Sequence, residues 1–285
     1  METNVIKGKP VADEITEKLI EEVEILKNEG IEPSLAIVRV GENPDDMSYE
    51  RGAMNRCAKI GIAVKNIVLE SGVSEEDYIE VIKSLNDDRS VNGILCLRPL
   101  PKNIDENKVK YVIAAEKDVD CFNPVNSAKL FDGDRDGYAS CTPEAVMKIL
   151  KHYGVELAGK KAVVLGRSLI VGKPVSMMLM GENATITVCH SKTENLADEA
   201  KKADILIAAI GRAKMVDSSY VKEGAVVIDV GINVDESGNL CGDVDTESVL
   251  GIAKMVTPVP AGVGSVTTSV LAEHVIRACK KQNLN

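Results

Sequence analysis

One stretch near the middle of the chain constrains the fold more than any other. An apolar segment, Lys161–Leu165, is followed by Gly166, by a second glycine at Gly172, and then by Lys173-Pro174. A strand, a tight turn and a helix explain this order, because glycine permits the turn and proline is favoured at a helix start. The spacing of Thr185–Cys189 then predicts a second strand. The stretch therefore predicts a β–α–β unit whose helix has free N–H groups at its start, which favour an anion.

Two alternatives compete with a dinucleotide at this glycine turn. The spacing from Gly166 to Gly172 is one residue longer than in a Walker A loop, and Pro174 stands where a magnesium-binding Ser or Thr is needed. A purely structural corner is the second alternative, since glycine-rich turns between strand and helix are common in α/β folds. Arg167 and Ser191 favour a ligand, because a guanidinium and a hydroxyl can bind one phosphate.

The end of the second strand bears on the identity of the cofactor. NAD-binding proteins usually place an acidic residue there to bind the ribose 2′-hydroxyl. In this chain the strand is followed by His190-Ser191-Lys192-Thr193, which contains no acid. Arginine and serine suit a 2′-phosphate instead. The sequence therefore predicts NADP rather than NAD.

Five motifs, taken together, are similar to those of one known family. In chain order they are DVDCF (Asp118–Phe122), GRSLIVGKP (Gly166–Pro174), CHSKT (Cys189–Thr193), DVGIN (Asp229–Asn233) and TPVPAGVG (Thr257–Gly264). With these strings the chain resembles the methylenetetrahydrofolate dehydrogenase/cyclohydrolases of one-carbon metabolism over nearly its whole length. The resemblance implies NADP-dependent oxidation of 5,10-methylenetetrahydrofolate to 5,10-methenyltetrahydrofolate, in a pathway that serves purine biosynthesis. It also implies tetrahydrofolate derivatives as substrates and a homodimer.

Helical and strand patterns alternate along the chain, which predicts an α/β protein with mostly parallel sheets. The resemblance implies two domains with a catalytic cleft between them. Residues 1–141 and 267–285 are expected to form an N-terminal α/β folate and catalytic domain, to which the last helix returns. Residues 142–266 are expected to form a Rossmann-like domain that binds NADP. The acidic stretch Lys117–Ser140 is predicted to be less regular.

Composition excludes several other classes of protein. The net charge of −10 and the absence of a basic run argue against nucleic acid as a partner. No apolar run approaches the ~18 residues of a membrane span, and the N-terminus lacks a signal-peptide core, so we expect a cytoplasmic protein. Seven cysteines without CxxC spacing and three scattered histidines predict neither disulfides nor a metal site.

The resemblance also implies roles for individual residues. Tyr49 and Asp120 are expected to be catalytic and to bind substrate, with Asp120 accepting the N–H donors of the pterin. The other substrate-binding residues implied are Leu97, Pro99, Pro258 and Gly262. The cofactor-binding residues implied are Gly166, Arg167, Ser168, Val171, Gly172, Lys173, Pro174, His190, Ser191 and Ile232. The alternatives are a surface tyrosine at position 49, a solvated loop acid at 120, and a rigid turn without ligand contacts at Pro258 and Gly262.

The chain departs from the family pattern where protons are handled. Ala53 stands where Tyr-x-x-x-Lys would place a lysine, and Leu97 stands where Gln-Leu-Pro-Leu-Pro would place a glutamine. Asp46 and Asn55 are further departures. Hydride transfer needs alignment of two rings, whereas hydrolysis of the methenyl product needs a positioned acid or base. We therefore expect weak or absent cyclohydrolase activity. The alternatives are an ordinary bifunctional enzyme that uses Arg56, Lys59 or Arg98, and a catalytically silent folate- or nucleotide-binding paralogue.

Overall fold

A computed structural model describes residues 2–284 of the chain. The described chain forms two compact units. The six-stranded unit contains the N-terminal segment up to Asp13 and the range Ser140–Thr267, and the three-stranded unit contains Glu14–Ala139 and the C-terminal segment from Thr268. The N-terminal segment thus belongs with the six-stranded unit, whereas the sequence assigns it to the folate domain. The functional limits of the two domains remain a prediction.

Strands and helices alternate through both units. The strands are β1 (Asn4–Val5), β2 (Ser34–Val40), β3 (Ala63–Leu69), β4 (Gly93–Cys96), β5 (Lys161–Leu165), β6 (Thr185–Cys189), β7 (Ile205–Ala208), β8 (Val226–Asp229), β9 (Asn233–Val234), β10 (Leu240–Cys241) and β11 (Met255–Val256). The helices are α1 (Gly8–Asn28), α2 (Pro44–Ile60), α3 (Glu75–Asp87), α4 (Glu106–Val109), α5 (Pro124–Asp132), α6 (Cys141–His152), α7 (Gly172–Gly181), α8 (Leu196–Ala200), α9 (Thr246–Val249) and α10 (Thr267–Asn283).

The six-stranded unit is built on a parallel sheet with the strand order β1-β11-β8-β7-β5-β6. Strand β5 pairs with β6 on one side and with β7 on the other. The chain therefore changes direction across the sheet at β5, and ligands of such sheets bind beyond the carboxyl ends of the strands at that switch point. Apolar residues fill β5 because helices cover both faces of a parallel sheet, and its last four residues are buried. This arrangement confirms the predicted Rossmann-like sheet.

The three-stranded unit has a smaller parallel sheet with the order β3-β2-β4. Its central strand β2 is almost wholly buried, and α3 packs Tyr78, Ile82 and Leu85 into the same core. Helix α10 belongs to this unit: His274 Nδ1 lies 2.8 Å from the carbonyl oxygen of Val119, and Gln282 Nε2 donates to Asn92 O at 2.8 Å. The final helix thus completes the unit that contains the acidic loop.

The strands β5 and β6 begin and end where the sequence predicts. The prediction of an irregular stretch over Lys117–Ser140 is wrong for α5. That helix begins with proline in its first turn, and the side chain of Asn123 caps it by accepting the amide of Val125. Six of the seven cysteines are buried and Cys121 is half-buried. No helix within residues 2–284 combines the length and apolar character needed to cross a membrane.

Candidate functional site

A pocket opens beyond the carboxyl end of β5, at the switch point of the six-stranded sheet. Its lining residues are Leu165, Gly166, Arg167, Ser168, Cys189, His190, Ser191, Leu196, Ala209, Ile210, Arg212 and Met215. Five of them are residues to which the sequence assigns a cofactor role, namely Gly166, Arg167, Ser168, His190 and Ser191. The remainder add an apolar wall and a second guanidinium. Such a lining suits a ligand with a flat apolar part and anionic groups.

Glycines are required at two points of this pocket by close approach of the backbone. Gly166 has a φ of +121°, and a Cβ there would lie 2.1 Å from the carbonyl oxygen of Ala209. A Cβ on Gly172 would lie 2.2 Å from the carbonyl oxygen of Gly166. No other side chain fits at either position without displacing backbone. The two glycines therefore hold the turn tightly against the strand ends.

The first amides of α7 are used inside the loop that precedes the helix. Ser168 Oγ accepts the amides of Val171 at 3.0 Å and Gly172 at 3.4 Å, and Ser168 O accepts the amide of Lys173 at 3.0 Å. The prediction that these N–H groups are free for an anion is wrong, because Ser168 folds back over the helix start. Pro174, which follows, is buried and has no N–H to offer. Charge for an anionic ligand comes instead from side chains, including the exposed Arg167 and Lys173.

The turn after β6 presents Ser191 to solvent beside this pocket. The amide of His190 donates to Thr193 Oγ1 at 2.9 Å, and the amide of Lys192 donates to His190 Nδ1 at 3.1 Å. Because Nδ1 accepts, a neutral His190 carries its proton on Nε2. Ser191 is exposed at the tip of this closed turn. The tip is therefore shaped by its own hydrogen bonds and does not depend on a ligand.

Arg212 and Asp243 are pocket elements that sequence reasoning missed. Asp243 is fully buried and accepts the amides of Ile210 at 2.6 Å, Gly211 at 3.1 Å and Arg212 at 2.8 Å. It also accepts Asn233 Nδ2 at 3.0 Å. One carboxylate thus holds both the pocket wall after β7 and the DVGIN segment. The amides of the pocket wall lie more than thirty residues from Asp243 in the chain, so no local spacing in the sequence signals their contact.

Asp229 is a second buried carboxylate that holds the backbone of this region by hydrogen bonds. It accepts the amides of Gly231, Asp243 and Val244, and burial raises its pKa to about 6. Ile232, the next predicted cofactor residue, is 68% exposed. The side chain of Ile232 is therefore accessible to a ligand, while its neighbours Gly231 and Asn233 are held by hydrogen bonds to Asp229 and Asp243.

Pro258 and Gly262 lie in one compact turn of the six-stranded unit. A Cβ on Gly262 would lie 2.3 Å from Pro258 O, and a Cβ on Gly8 would lie 2.2 Å from Gly262 O. Ala261 adopts a left-handed φ of +78° within the turn. This packing supports the alternative of a rigid turn. A substrate contact for Pro258 and Gly262 stays a prediction.

In the three-stranded unit, α2 carries the residues that depart from the family pattern. Tyr49 is half-buried, Ala53 is fully buried and Asn55 is exposed. Arg56 Nη1 donates to Thr16 Oγ1 at 2.7 Å. Lys59 is exposed. Ala53 offers no proton-transfer group on the face of α2 that is buried.

Glu50, next to Tyr49 in the chain, anchors α2 to the sheet. Its carboxylate accepts Arg39 Nε at 2.7 Å and Asn66 Nδ2 at 3.0 Å, and Arg39 also donates to the carbonyl oxygen of Gly41. Both members of the ion pair are buried. A buried pair of this kind fixes geometry more reliably than it adds stability. It therefore holds the helix turn that carries Tyr49.

The acidic loop places a carboxylate and a guanidinium side by side. Arg98 Nη2 lies 3.8 Å from Asp120 Oδ2, and the Arg98 guanidinium lies 4.4 Å from the centre of the Phe122 ring. Leu97 is buried and Pro99 is exposed. Asp118 holds the loop by accepting the amides of Phe122 at 2.9 Å and Asn123 at 2.8 Å. Burial raises the pKa of Asp118, although these hydrogen bonds oppose the shift.

The fold and the pocket define a class: a two-unit α/β protein with a dinucleotide-type pocket at the switch point of its larger sheet. The model of the tetrahydrofolate dehydrogenase/cyclohydrolase catalytic domain matches residues 6–120, and that of the NAD(P)-binding domain of the same enzymes matches residues 140–283. The chain belongs to the tetrahydrofolate dehydrogenase/cyclohydrolase family, which confirms the resemblance found in the sequence. It is an enzyme with a catalytic and an NAD(P)-binding domain.

Relatives and solved structures resemble the chain over nearly its whole length. The bifunctional protein FolD of Clostridioides difficile (strain 630) is 65% identical over 279 residues, which cover 98% of this chain and 97% of the relative. The crystal structure of the bifunctional enzyme FolD from Campylobacter jejuni is 40% identical, with a TM-score of 0.96 and coverage of 98% and 99%. The Trypanosoma brucei enzyme, complexed with NADP cofactor and inhibitor, is 37% identical, with a TM-score of 0.94 and coverage of 99% and 98%.

Proposed function

We propose that this chain oxidises 5,10-methylenetetrahydrofolate to 5,10-methenyltetrahydrofolate with NADP as the cofactor. The observation that carries the proposal is the pocket beyond β5, in which Gly166, Arg167 and Ser191 meet. Membership of the family supplies the reaction class. The NADP in the Trypanosoma brucei relative supports NADP over NAD, in agreement with the absence of an acid after β6.

The residues of the pocket fit a dinucleotide. Gly166 and Gly172 let the turn lie close against the strand ends, because a Cβ at either position would meet a backbone carbonyl oxygen. Arg167 and Ser191 would hold the 2′-phosphate, since a guanidinium and a hydroxyl both donate to phosphate oxygens. The bound nicotinamide supplies a hydride acceptor. Asp243 fixes the wall that carries Arg212, so the pocket is formed before the ligand arrives.

On the substrate side, Asp120 would anchor the pterin and Tyr49 would orient it. A carboxylate accepts two hydrogen bonds side by side, which suits the amino group and ring N–H of a pterin. Asp118 fixes the loop that carries Asp120, and the Arg39–Glu50 pair fixes the helix that carries Tyr49. Alignment by such fixed elements is the main contribution that a protein makes to hydride transfer.

The second activity has two candidates. The name of the Clostridioides difficile relative supports an ordinary bifunctional enzyme that also hydrolyses the methenyl product. The observation that favours weak or absent hydrolysis is that Ala53 and Leu97 are buried side chains that transfer no proton. The cation beside the loop is Arg98, and an arginine stays protonated and makes a poor base. Weak or absent hydrolysis is therefore the competing proposal.

One assay separates these candidates and also tests for a silent paralogue. Purified protein is mixed with methylenetetrahydrofolate and NADP, and NADPH and methenyltetrahydrofolate are followed at their own wavelengths. NADPH with accumulating methenyltetrahydrofolate supports weak hydrolysis, and NADPH with methenyltetrahydrofolate removed faster than in buffer alone supports the bifunctional enzyme. If neither product forms while both ligands bind, the proposed oxidation is wrong.

The double variant Ala53→Lys with Leu97→Gln sharpens the assay. If the wild-type protein hydrolyses weakly because these groups are absent, the pair should raise hydrolysis more than the sum of the single variants, since the groups act as one unit. Dehydrogenase activity serves as the control for folding. Rapid hydrolysis by the wild-type protein would instead assign the proton to another group and withdraw the weak-hydrolysis proposal.

A further inference from the structure

Arg98 is a half-buried cation at the acidic loop of the three-stranded unit. Its side chain is 14% exposed, and its guanidinium lies 4.4 Å from the centre of the Phe122 ring. The pair distance of 3.8 Å to Asp120 Oδ2 is too long for a direct hydrogen bond. Within residues 2–284, the structure records no hydrogen bond from this guanidinium to another residue.

That arrangement leaves guanidinium donors without protein acceptors, at a half-buried position where solvent or a ligand can reach them. A guanidinium carries five N–H donors and cannot lose its charge. Stacking on Phe122 and attraction to Asp120 offset part of the cost of burial, but neither satisfies the donors. An acceptor supplied by a ligand would satisfy them. Arg98 is also a departure from the family's Gln-Leu-Pro-Leu-Pro pattern, which has leucine at this position.

We propose that Arg98 is a substrate-binding residue that donates to the 4-oxo oxygen of the pterin while Asp120 accepts the neighbouring N–H groups. One edge of a pterin presents the 2-amino group, the ring N3–H and the 4-oxo oxygen in that order, which is two donors followed by an acceptor. The carboxylate of Asp120 and the guanidinium of Arg98 present the complementary set side by side. Arg98 thereby recognises the 4-oxo group and sets the preference of the site for a 4-oxo ligand.

This inference rests on the proposed function, since it assumes that a folate binds at Asp120. The proposed function requires only that a folate binds. The inference about Arg98 requires in addition a preference for the 4-oxo group that depends on Arg98. The chemical partner of Arg98 is therefore tested by changing the 4-oxo, N3–H edge of the ligand together with that one side chain. A cycle of this kind isolates the interaction between the two.

The experiment measures the dissociation constants of tetrahydrofolate and of its 4-amino analogue, in which an amino donor replaces the oxo acceptor and N3 becomes an acceptor. Wild-type protein, R98L and the control R89L are compared. R98L introduces the leucine of the family pattern, and R89L removes an exposed arginine from the same unit. In R98L, affinity for tetrahydrofolate should fall about tenfold or more, as expected for a lost charged hydrogen bond. Affinity for the 4-amino analogue should stay unchanged or improve.

Two further measurements keep the result decisive. Thermal melts establish that R98L is folded, and NADP titrations show whether the change is confined to folate, because NADP is expected to bind the other unit. R98K keeps the charge but not the planar fork, so it should restore only part of the preference. Equal loss of both ligands in folded R98L, or loss of neither, would overturn the inference while leaving the proposed function in place. Failure of the wild-type protein to bind tetrahydrofolate would overturn the proposed function itself.

Discussion

The pocket beyond β5 and the acidic loop after β4 are built in different ways. The pocket depends on backbone meeting backbone, as at Gly166 and Gly172, where a Cβ would lie 2.1 Å and 2.2 Å from carbonyl oxygens. The acidic loop depends on side chains, chiefly the contact of Arg98 with Asp120 and Phe122. A residue at a close backbone contact can hardly be substituted without moving the backbone. A residue that contacts its neighbours only through its side chain can be replaced while the backbone stays in place. The departures from the family pattern accordingly lie around the acidic loop and α2.

The largest effect is expected where the backbone contact is closest. Gly172→Ala places a methyl group 2.2 Å from Gly166 O, so the turn and the start of α7 must move apart. We expect NADP affinity to fall by a factor of about one hundred or more, because misplacement of the turn affects several contacts at once. The measurement is a binary titration of the variant with NADP.

Gly181→Ala is the matched control for this comparison. Gly181 is the last residue of the same helix, and a Cβ there would meet nothing within 4 Å. Alanine should therefore stabilise the helix slightly and leave NADP affinity unchanged. An equal loss in both variants would show that the close approach at Gly172 has no special importance.

The next effect tests charge within the pocket. Arg167→Ala should weaken NADP by about ten- to one hundredfold, since a charged hydrogen bond is worth about 1.5–3 kcal/mol. NAD, which lacks the 2′-phosphate, should be weakened much less. Titrations with both cofactors give the ratio directly. Equal weakening of the two would remove Arg167 from cofactor selection.

A smaller effect is expected at the acidic loop. Asp120→Asn keeps the shape of the side chain but turns one acceptor into a donor that faces the donors of the pterin. Tetrahydrofolate affinity should fall about tenfold, while NADP affinity in a binary titration stays constant. Asp132, an exposed carboxylate of the same unit, provides the control as Asp132→Asn. If Asp120→Asn leaves folate affinity intact, Asp120 is a solvated loop acid.

The two regions also differ in how far the sequence predicts them. The strands β5 and β6 and the glycine turn are local patterns, so their positions follow from the periodicity of a short window. Asp243 carries no such signal, because its importance arises only when Ile210, Gly211 and Arg212 fold back to it from more than thirty residues away. The same limit applies to Ser168, whose side chain occupies the helix amides that the sequence left free.

Around the acidic loop the sequence predicts the residues better than their environment. Asp120 and its motif are visible, but α5 is hidden in a stretch rich in Asp and Gly, where a cap at Asn123 decides the outcome. The burial of Ala53 and the stacking of Arg98 on Phe122 are tertiary facts that no window of sequence contains. Family resemblance supplies the roles, and the structure supplies the neighbours on which those roles depend.

The smallest expected effect on the pocket is indirect and appears only as a dependence on pH. Burial raises the pKa of Asp229 from 3.8 to about 6, so the folded protein holds a proton there that the unfolded chain has lost. The contribution of this group to stability is therefore complete below about pH 4 and is lost as pH rises through about 6. In Asp229→Asn this loss cannot occur. The Tm of the wild-type protein minus that of the variant should fall by a few degrees between pH 4 and pH 6 and stay constant above pH 7.

Asp217, in the same unit, supplies a control of opposite sign. It is an exposed carboxylate whose pKa is lowered by hydrogen bonds from the side chain and amide of Ser219. Its contribution is present above the ordinary pKa of an aspartate and is lost as pH falls, so the difference between the wild-type protein and Asp217→Asn should rise with pH. Opposite slopes would show that the framework beneath the pocket holds Asp229 in a site that disfavours its charge. If the Tm differences of the two variants changed with pH in the same direction, Asp229 would be as well solvated as a surface acid. The backbone around the pocket would then pack less tightly than the close approaches at its glycines require.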